Sequence, residues 1–189
     1  PVNGIKGHVK NLLDLETEPS KKSTLGIIIQ CCNNMEKIIN NLLDFSIAGS
    51  QRPVELDASM DVEYIFGDYL SDVCAQLMKS NYEVDAEGIS FKQVKVAVNM
   101  AFLTRIFSNL TDNIYKYADN KKPVVMKTAF TKKTFSVEIG NGVCDNKTLL
   151  KSAGIGLKSV DAMMQRMNGS MSFKREHGKF WVKLEFPIV

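Results

Sequence analysis

A seam of apolar residues constrains the first quarter of this chain more than any other feature. Apolar side chains recur in steps of three and four at Leu25, Ile28, Cys32, Met35, Ile39 and Leu42, which is the spacing of packed helices. Upstream, helical spacing relates Ile5, Val9, Leu12 and Leu13. A turn from Glu16 to Lys22, which contains Pro19, separates the two patterns. The sequence therefore predicts a helical hairpin.

The predicted hairpin needs a partner surface. Each of its two helices has only one neighbour, so a wide apolar stripe remains uncovered. Pairing with a second copy gives a dimeric four-helix bundle that covers the stripe. The alternative is that the hairpin packs on the rest of its own chain. We expect the homodimer.

Composition and charge exclude several classes of protein. The net charge of +3 is small and the lysines are scattered, so we expect no nucleic-acid partner. No apolar run approaches about 18 residues, so we expect no membrane contact within these residues. The chain starts P-V-N-G-I-K-G, without Met or a signal peptide, and we expect it to be a piece of a longer protein. Its four cysteines lack C-x-x-C spacing, which is typical of reduced, cytosolic thiols.

The character of the sequence changes after a Gly/Pro break at Ala48–Pro53. We predict a hairpin domain over residues 1–50, a linker over 51–54 and a second domain over 55–189. Helices are predicted over 61–79, 99–118 and 156–167. Strands are predicted over 89–98, 124–130, 134–139, 170–175 and 180–186, with a turn at His177-Gly178. This mixture predicts an α+β chain whose second domain is an α/β sandwich, a mixed sheet with helices on one face.

A polar stripe marks the helix predicted over 99–118. Asn109, Asn113 and Lys116 fall within about 60° of one another around the helix axis, and Tyr117 lies between them and the apolar face. Asparagine is a poor helix former, so two on one face need a reason. They form either a solvated edge or a site in which amide oxygens ligate a hard cation, the ammonium meets its phosphates and the phenol ring stacks on a base. The spacing alone leaves both explanations open.

Glycines supply a second signal. Gly154 and Gly156 precede the helix that contains Leu157, and glycines at a helix N-terminus allow backbone amides to approach an anion. Upstream, a predicted strand ends in Gly140-Asn141-Gly142. The order of asparagine helix, Gly-Asn-Gly strand end and Gly-x-Gly-Leu helix is more specific than any one part.

With these motifs the chain resembles the catalytic core of a sensor histidine kinase of a two-component system. P-V-N-G-I-K-G-H-V-K-N-L-L-D-L and N-N-L-L-D-F-S resemble the two helices of its dimerisation and phosphotransfer hairpin. N-L-T-D-N-I-Y-K-Y resembles the N box of a GHKL-type ATP-binding domain, G-I-G-L its second glycine box, and the segment from N-G-S-M-S-F to L-E-F-P its closing hairpin. The resemblance covers essentially the whole chain.

The resemblance implies a fold, a reaction and a set of site residues. Asn109 and Asn113 are expected to hold Mg²⁺, with Asn113 the more direct ligand. Lys116 is expected to approach the phosphates of ATP and, with Asn109, to act in catalysis. The remaining expected nucleotide-binding residues are Tyr117, Asn141, Gly142, Lys151, Gly154, Gly156 and Leu157. The γ-phosphoryl of ATP is expected to pass to a hairpin histidine and then to an aspartate of a response-regulator receiver domain.

The chain departs from the family pattern in three places. The phosphoacceptor histidine is expected upstream of Pro1, with His8 an ordinary helix residue, so these 189 residues should not phosphorylate themselves. Asn141, or Asp145 in a rearranged loop, stands where the family usually has an adenine-binding aspartate. Only Cys144–Ala153 separate this strand end from the glycine box, so the lid is short and offers Lys147 and Lys151 as its cations.

Two functional hypotheses follow. The first is an ATP- and Mg²⁺-dependent protein-histidine kinase core, the cytoplasmic portion of a membrane-anchored sensor. The second is a nucleotide-responsive dimeric scaffold, or a response-regulator phosphatase or adaptor, with weak autokinase activity or none. The N box favours the first, while the short lid favours the second. Transfer within one chain or between two depends on the handedness of the hairpin turn, which the sequence leaves open.

Overall fold

The computed structural model describes residues 2–49, 54–143 and 155–189. The chain divides into two compact units, Pro1–Ser46 and Ile47–Val189. The linker predicted over 51–54 falls almost entirely outside the described residues, so the predicted domain boundary stays a prediction. No helix in the described ranges is long and apolar enough to cross a membrane.

The first unit is built from two helices, α1 (Val2–Leu15) and α2 (Pro19–Gly49). The turn predicted from Glu16 to Lys22 is too long, because α2 already begins at Pro19. Proline suits the first position of a helix, where its missing N–H is not needed for a helical hydrogen bond. The Glu16 carboxylate accepts hydrogen bonds from the N–H groups of Thr17 and Glu18, both at 2.9 Å. These bonds order the short connection.

Contacts between α1 and α2 bury little of the apolar seam. Val9 and Cys32 are buried, and Lys6 Nζ lies 2.8 Å from Glu36 Oε2. Four members of the seam remain exposed: Ile28, Met35, Ile39 and Leu42. The hairpin therefore carries an apolar stripe that its own two helices do not cover.

The second unit alternates helices and strands. Its elements are β1 (Met60–Asp61), α3 (Val62–Lys79), β2 (Val84–Gly88), β3 (Lys95–Val96), α4 (Met100–Tyr117), β4 (Val124–Phe130), β5 (Thr134–Gly142), α5 (Ile155–Arg166), β6 (Ser170–Glu176) and β7 (Lys179–Pro187). The main sheet has the order β2-β4-β5-β7-β6, and β1 pairs with β3 separately. Because β2 pairs parallel to β4 and the other neighbours are antiparallel, the sheet is mixed. The predicted α+β class is confirmed.

The strand predicted over residues 89–98 is wrong. Only Lys95–Val96 of that segment forms a strand, and the edge strand of the main sheet is Val84–Gly88. Ile89, Phe91 and Val94 pack against the core without pairing in a sheet. Edge strand β2 was missed because the alternation of Val84 and Ala86 with Asp85 and Glu87 is short and uses small apolar side chains, which makes it a weak signal.

Helices α3, α4 and α5 cover one face of the main sheet. Phe66 of α3 packs on Phe135 and Phe186, with ring centroids 4.8 and 4.9 Å apart. The N-cap of α3 is Asp61, whose side chain accepts the N–H of Glu63 at 3.0 Å. The N-cap of α4 is Asn99, which accepts the N–H of Phe102 at the same distance. These caps and rings fix the helices over the sheet.

The opposite face of the sheet is polar. Lys127 Nζ lies 3.1 Å from Glu138 Oε2, and Trp181 lies flat against Gly140, where an added Cβ would come within 2.5 Å of the indole ring. The ammonium groups of Lys127 and Lys179 lie 4.8 and 5.9 Å from the Trp181 ring centroid. The ends of β6 and β7 meet at the predicted turn, with φ of 50° at His177 and 71° at Gly178, as a two-residue hairpin turn requires.

Candidate functional site

A cavity of about 290 Å³ opens between the helices and one end of the main sheet. Helix α4 lines it with Leu110, Asn113, Ile114 and Tyr117, and α5 lines it with Gly156 and Leu157. The sheet side contributes Ile139, Asn141, Val143, Phe173, Lys174, Arg175, Phe180 and Val182. A mainly apolar cleft with a few polar groups is the usual form of a small-molecule site.

The floor of the cavity consists of two rows of side chains across three strands. In the first row Asn141 of β5 pairs with Phe180 of β7, which pairs with Arg175 of β6. In the second row Ile139, Val182 and Phe173 pair in the same way. Directly opposite residues share a face of a sheet. The floor therefore changes from an amide at one side, over an aromatic ring, to a guanidinium at the other.

Asn141 is a polar residue in the apolar part of this floor. Its side chain is only 6% exposed, and its Nδ2 donates a hydrogen bond to the carbonyl of Gly142 at 2.9 Å. The same carbonyl accepts the N–H of Asp119 at 3.0 Å. Since a carbonyl needs a donor, this contact orients the amide of Asn141 with Nδ2 toward the backbone. Oδ1 is the end of the amide that remains to accept a hydrogen bond.

The predicted stripe of α4 divides at the cavity. Asn113 and Tyr117 line it, whereas Lys116 is exposed and is not among the lining residues. Asn109 is partly buried, and its Nδ2 donates a hydrogen bond to the carbonyl of Arg105 at 3.1 Å. Asn113 and Tyr117 therefore face the cleft, as a site on this stripe requires.

The first turn of α5 meets α4 at this stripe. A Cβ added to Gly156 would lie 3.3 Å from Asn109 Oδ1 and 3.9 Å from Asn113 Nδ2. Glycine allows this close approach because it has no side chain. Two signals that lie more than forty residues apart in the sequence thus form one surface, and buried Leu157 continues it into the cavity.

Other predicted site residues lie elsewhere. A Cβ on Gly142 would contact the side chain of Lys122 at 2.6 Å, and Gly142 is not among the residues that line the cavity. Lys151 and Gly154, like Asp145 and Lys147 of the lid, lie outside the described residues. His177 occupies the exposed turn beside Glu176.

The sequence interpretation missed the contribution of the last hairpin. Phe173, Arg175 and Phe180 line the cavity, and the alternation that places Val182 and Leu184 inward also places Phe180 on that face. Phe173 and Phe180 lie 5.8 Å apart between ring centroids. The alternation of β7 was therefore a usable signal for Phe180, whereas Arg175 is identified only by the register of β6 against β7.

The electrostatics of the cavity are positive. No carboxylate is among the described residues that line it. Lys174 is paired with Glu176 at 2.7 Å, and the hydrogen bond and charge of Glu176 raise the pKa of Lys174. The same hydrogen bond and charge lower the pKa of Glu176. Arg175 therefore carries the unneutralised charge of the described lining.

The polar side chains beside the cavity fit a magnesium ion that takes most of its ligands from phosphate and water. In the described ranges no group of three or more His, Cys, Asp or Glu residues is placed to hold a metal. Asn109 presents its amide oxygen to Gly156 and Asn113 presents its amide nitrogen, so Asn113 would ligate a cation through the other end of its amide. Mg²⁺ typically takes few protein ligands together with substrate phosphates and water.

Two family models match this chain. Residues 1–51 match the His Kinase A (phospho-acceptor) domain, and residues 98–187, which include all of the described cavity lining, match the GHKL domain. Together the two matches make up the domain pair of a sensor histidine kinase core. Its hairpin and its α/β sandwich are therefore the two parts of a histidine kinase catalytic core.

Curated sensor histidine kinases show the same relationship. Sensor histidine kinase YrkQ of Bacillus subtilis is 24% identical over 80% of this chain and 35% of its own length. Signal transduction histidine-protein kinase BarA of Escherichia coli is 23% identical over 100% of this chain and 23% of its own length. The chain thus spans about a third of the one relative and about a quarter of the other.

Solved histidine kinases share the fold. Acinetobacter baumannii histidine kinase AdeS has a TM-score of 0.64 at 13% identity, over 100% of this chain and 95% of the AdeS chain. Full-length ShkA in complex with AMPPNP has a TM-score of 0.71 at 16% identity, over 100% of this chain and 44% of the ShkA chain.

Proposed function

We propose that this chain is the ATP-binding and phosphotransfer core of a protein-histidine kinase. The observation that carries the proposal is the contact of Gly156 with Asn109 and Asn113 at the side of an apolar cavity. This arrangement provides a hydrophobic pocket for a base beside backbone and amide groups for phosphates and a cation. ATP with Mg²⁺ is the ligand that uses all of these features. The AMPPNP bound by ShkA is a nucleotide of the same kind.

The lining residues divide the recognition of ATP. Ile139, Leu157 and Val182 exclude water around the base, and Tyr117 offers a ring for stacking. Asn141 accepts a hydrogen bond from the exocyclic amine of adenine through Oδ1. Because an amide carries no net charge, this contact is weaker than the same bond to a carboxylate.

The polar side of the cavity positions the phosphates. Asn113 and Asn109 would hold the magnesium ion, which neutralises phosphate charge when bound. The N-terminus of α5 presents backbone N–H groups to the phosphates, and Lys116, Lys151 and Gly154 stay predictions for this role. Phosphoryl transfer needs little covalent chemistry from the protein, so orientation and charge stabilisation account for the rate.

The hairpin supplies the other half of the reaction. We assign to it dimerisation through the exposed seam and presentation of the acceptor histidine, which we place upstream of Pro1. A response-regulator receiver domain is the next phosphoryl acceptor. The full protein is a membrane-anchored sensor with this core on its cytoplasmic side, in accordance with the greater length of its relatives.

A second function is favoured by one observation. The described cavity lining has no carboxylate, and Asn141 occupies the base-reading position, so adenine is held without charge assistance. A core with weak ATP affinity would serve as a nucleotide-responsive scaffold or as a phosphatase toward its response regulator.

Phosphorylation from labelled ATP tests the proposal. The chain is extended upstream to include the predicted histidine, and acid-labile label is measured with and without Mg²⁺. We expect Mg²⁺-dependent labelling that Asn113→Ala abolishes, together with a loss of ATP affinity of at least about tenfold. Asn120→Ala, at an exposed asparagine outside the cavity, is the matched control. ATP binding without label contradicts the kinase and favours the second function.

A further inference from the structure

Arg175 is a cavity-lining cation to which the family motifs assign no role. It lies on β6, the edge strand of the main sheet, and its side chain is exposed at the mouth of the cavity. Within the part of the chain that the structure describes, it has no ion pair and no side-chain hydrogen bond. An arginine at the mouth of an apolar cleft that pairs with no described carboxylate is available to an anion.

The register of the strands fixes where this guanidinium lies relative to Asn141. The two residues are the ends of one row, with Phe180 between them. Two strand spacings separate their backbones by about 10 Å. If a base is read by Asn141 and lies over Phe180, the rest of the nucleotide extends across the row toward β6.

The same end of the cavity lies under the start of α5. Helix α5 packs against β6 and β7, and its first-turn residues Gly156 and Leu157 line the cavity together with Arg175. The N-terminus of a helix carries partial positive charge. The part of the nucleotide beyond the base therefore enters a space between the N-terminus of α5 and the guanidinium of Arg175.

The chemistry of this space selects an anion. Lys174 is already paired with Glu176, and no described lining residue carries a negative charge. A guanidinium presents a planar fork of N–H donors that matches two oxygens of a phosphate. A ribose hydroxyl or a base edge offers only a neutral acceptor, which a guanidinium binds less strongly than a phosphate.

We infer that Arg175 binds the phosphate chain of the nucleotide from the sheet side of the cavity, opposite Asn113 and Gly156. The inference rests on the proposed function, because it takes a nucleotide as the occupant. It makes the last β-hairpin part of the phosphate site, which the sequence motifs assign to α4, the lid and the start of α5.

A ligand series measures which part of the nucleotide Arg175 contacts. Affinities of the full 189-residue chain for ATP, ADP, AMP and adenosine are compared by calorimetry with those of Arg175→Ala and Arg175→Lys. We expect Arg175→Ala to weaken ATP and ADP about tenfold and adenosine less than about twofold, as loss of one charge-assisted contact to phosphate requires. Arg175→Lys should fall between, because it keeps the charge and loses the fork.

Lys183→Ala is the matched control. Lys183 lies on β7 of the same hairpin, on the opposite face of the sheet and paired with Glu185 at 2.8 Å, so its loss removes one positive charge outside the cavity. Its ATP affinity should stay within about twofold of the unsubstituted chain, and a tenfold loss would attribute the effect of Arg175 to net charge.

The outcomes separate the two proposals. Equal losses for adenosine and ATP in Arg175→Ala place Arg175 at the base or ribose and overturn the inference, as does an unchanged ATP affinity. If the unsubstituted chain binds none of the four ligands, the proposed function fails and the inference fails with it.

Discussion

Gly156 and Asn109 lie so close together that a methyl group on Gly156 would crowd the Asn109 side chain. The hypothetical Cβ of Gly156 is 3.3 Å from Asn109 Oδ1, and Asn109 is held on its other side by the carbonyl of Arg105. The position of Asn109 therefore depends on the lack of a side chain at residue 156. Asn113 and Tyr117 differ from Asn109 in this respect, because their side chains line the cavity directly.

Gly156→Ala should separate stability from binding. Alanine favours a helix over glycine by up to about 1 kcal/mol, so the free energy of unfolding should stay the same or rise. The added methyl group displaces Asn109, so the affinity for Mg²⁺ and ATP should fall several-fold. Denaturant unfolding and calorimetry measure the two quantities.

Gly67→Ala provides the control for that substitution. Gly67 lies within α3, and an added Cβ would meet no heavy atom within 4 Å. It should raise stability by about 1 kcal/mol and leave ATP affinity unchanged. A loss of binding in both variants would trace the effect to altered helix stability rather than to Asn109.

Spacing along one helix predicted some site residues and not others. Asn113 and Tyr117 were found because a period of 3.6 residues places them on one face. Arg175 was not found, since its place in the cavity depends on the pairing of β6 with β7 and of β7 with β5. Such a cross-strand row is a tertiary property that no local pattern in β6 reports.

Elements with strong periodicity and clear ends were predicted well. The strand at Val124–Phe130 was placed as observed, and α4 follows its prediction closely because Asn99 caps it and alternating polar and apolar faces define it. The failure at Val84–Gly88 has the opposite cause, because this edge strand has no fully buried position and its partly buried residues are small. A helix or strand can be predicted from its sequence when one of its faces is buried.

The start of α3 gives a prediction at the scale of elements. Asp61→Ala removes the side-chain acceptor of the Glu63 N–H and should lower the free energy of unfolding by about 1 kcal/mol. Asp61→Asn and Asp61→Ser should retain most of the stability, because both side chains still accept that bond. Urea denaturation measures the change.

Asp72→Ala is the corresponding control on the same helix. Asp72 is exposed within α3, so its replacement should change stability by less than about 0.5 kcal/mol. An equal loss in Asp72→Ala and Asp61→Ala would assign the effect to surface charge and contradict the role of the cap.

The two units of the molecule differ in how fully they bury their apolar side chains. The second unit has a closed core under three helices, whereas the first leaves its apolar seam exposed. Sequence reasoning predicted both characters, because the heptad seam and the change of periodicity are long-range patterns. The identity of the surface that covers the seam is not encoded in either pattern, and the homodimer therefore stays a prediction.

Ile39→Glu tests that dimer. Ile39 is 45% exposed on α2, and a carboxylate there would be buried without a partner in a four-helix bundle. The variant should elute as a monomer in size-exclusion chromatography with light scattering, whereas the unsubstituted chain should elute as a dimer. Tyr64→Glu, at a 71% exposed position of α3, should leave the dimer intact.

Trp181 gives the molecule a built-in optical label. It is the chain's single tryptophan, and it lies on Gly140, next in sequence to Asn141 but on the opposite face of the sheet. Indole emission therefore reports on the second unit. Trp181 is next in sequence to Phe180 of the cavity floor, yet the sheet separates its ring from any ligand in the cavity. A bound nucleotide would therefore change the indole emission through the backbone of β5 and β7 rather than by contact.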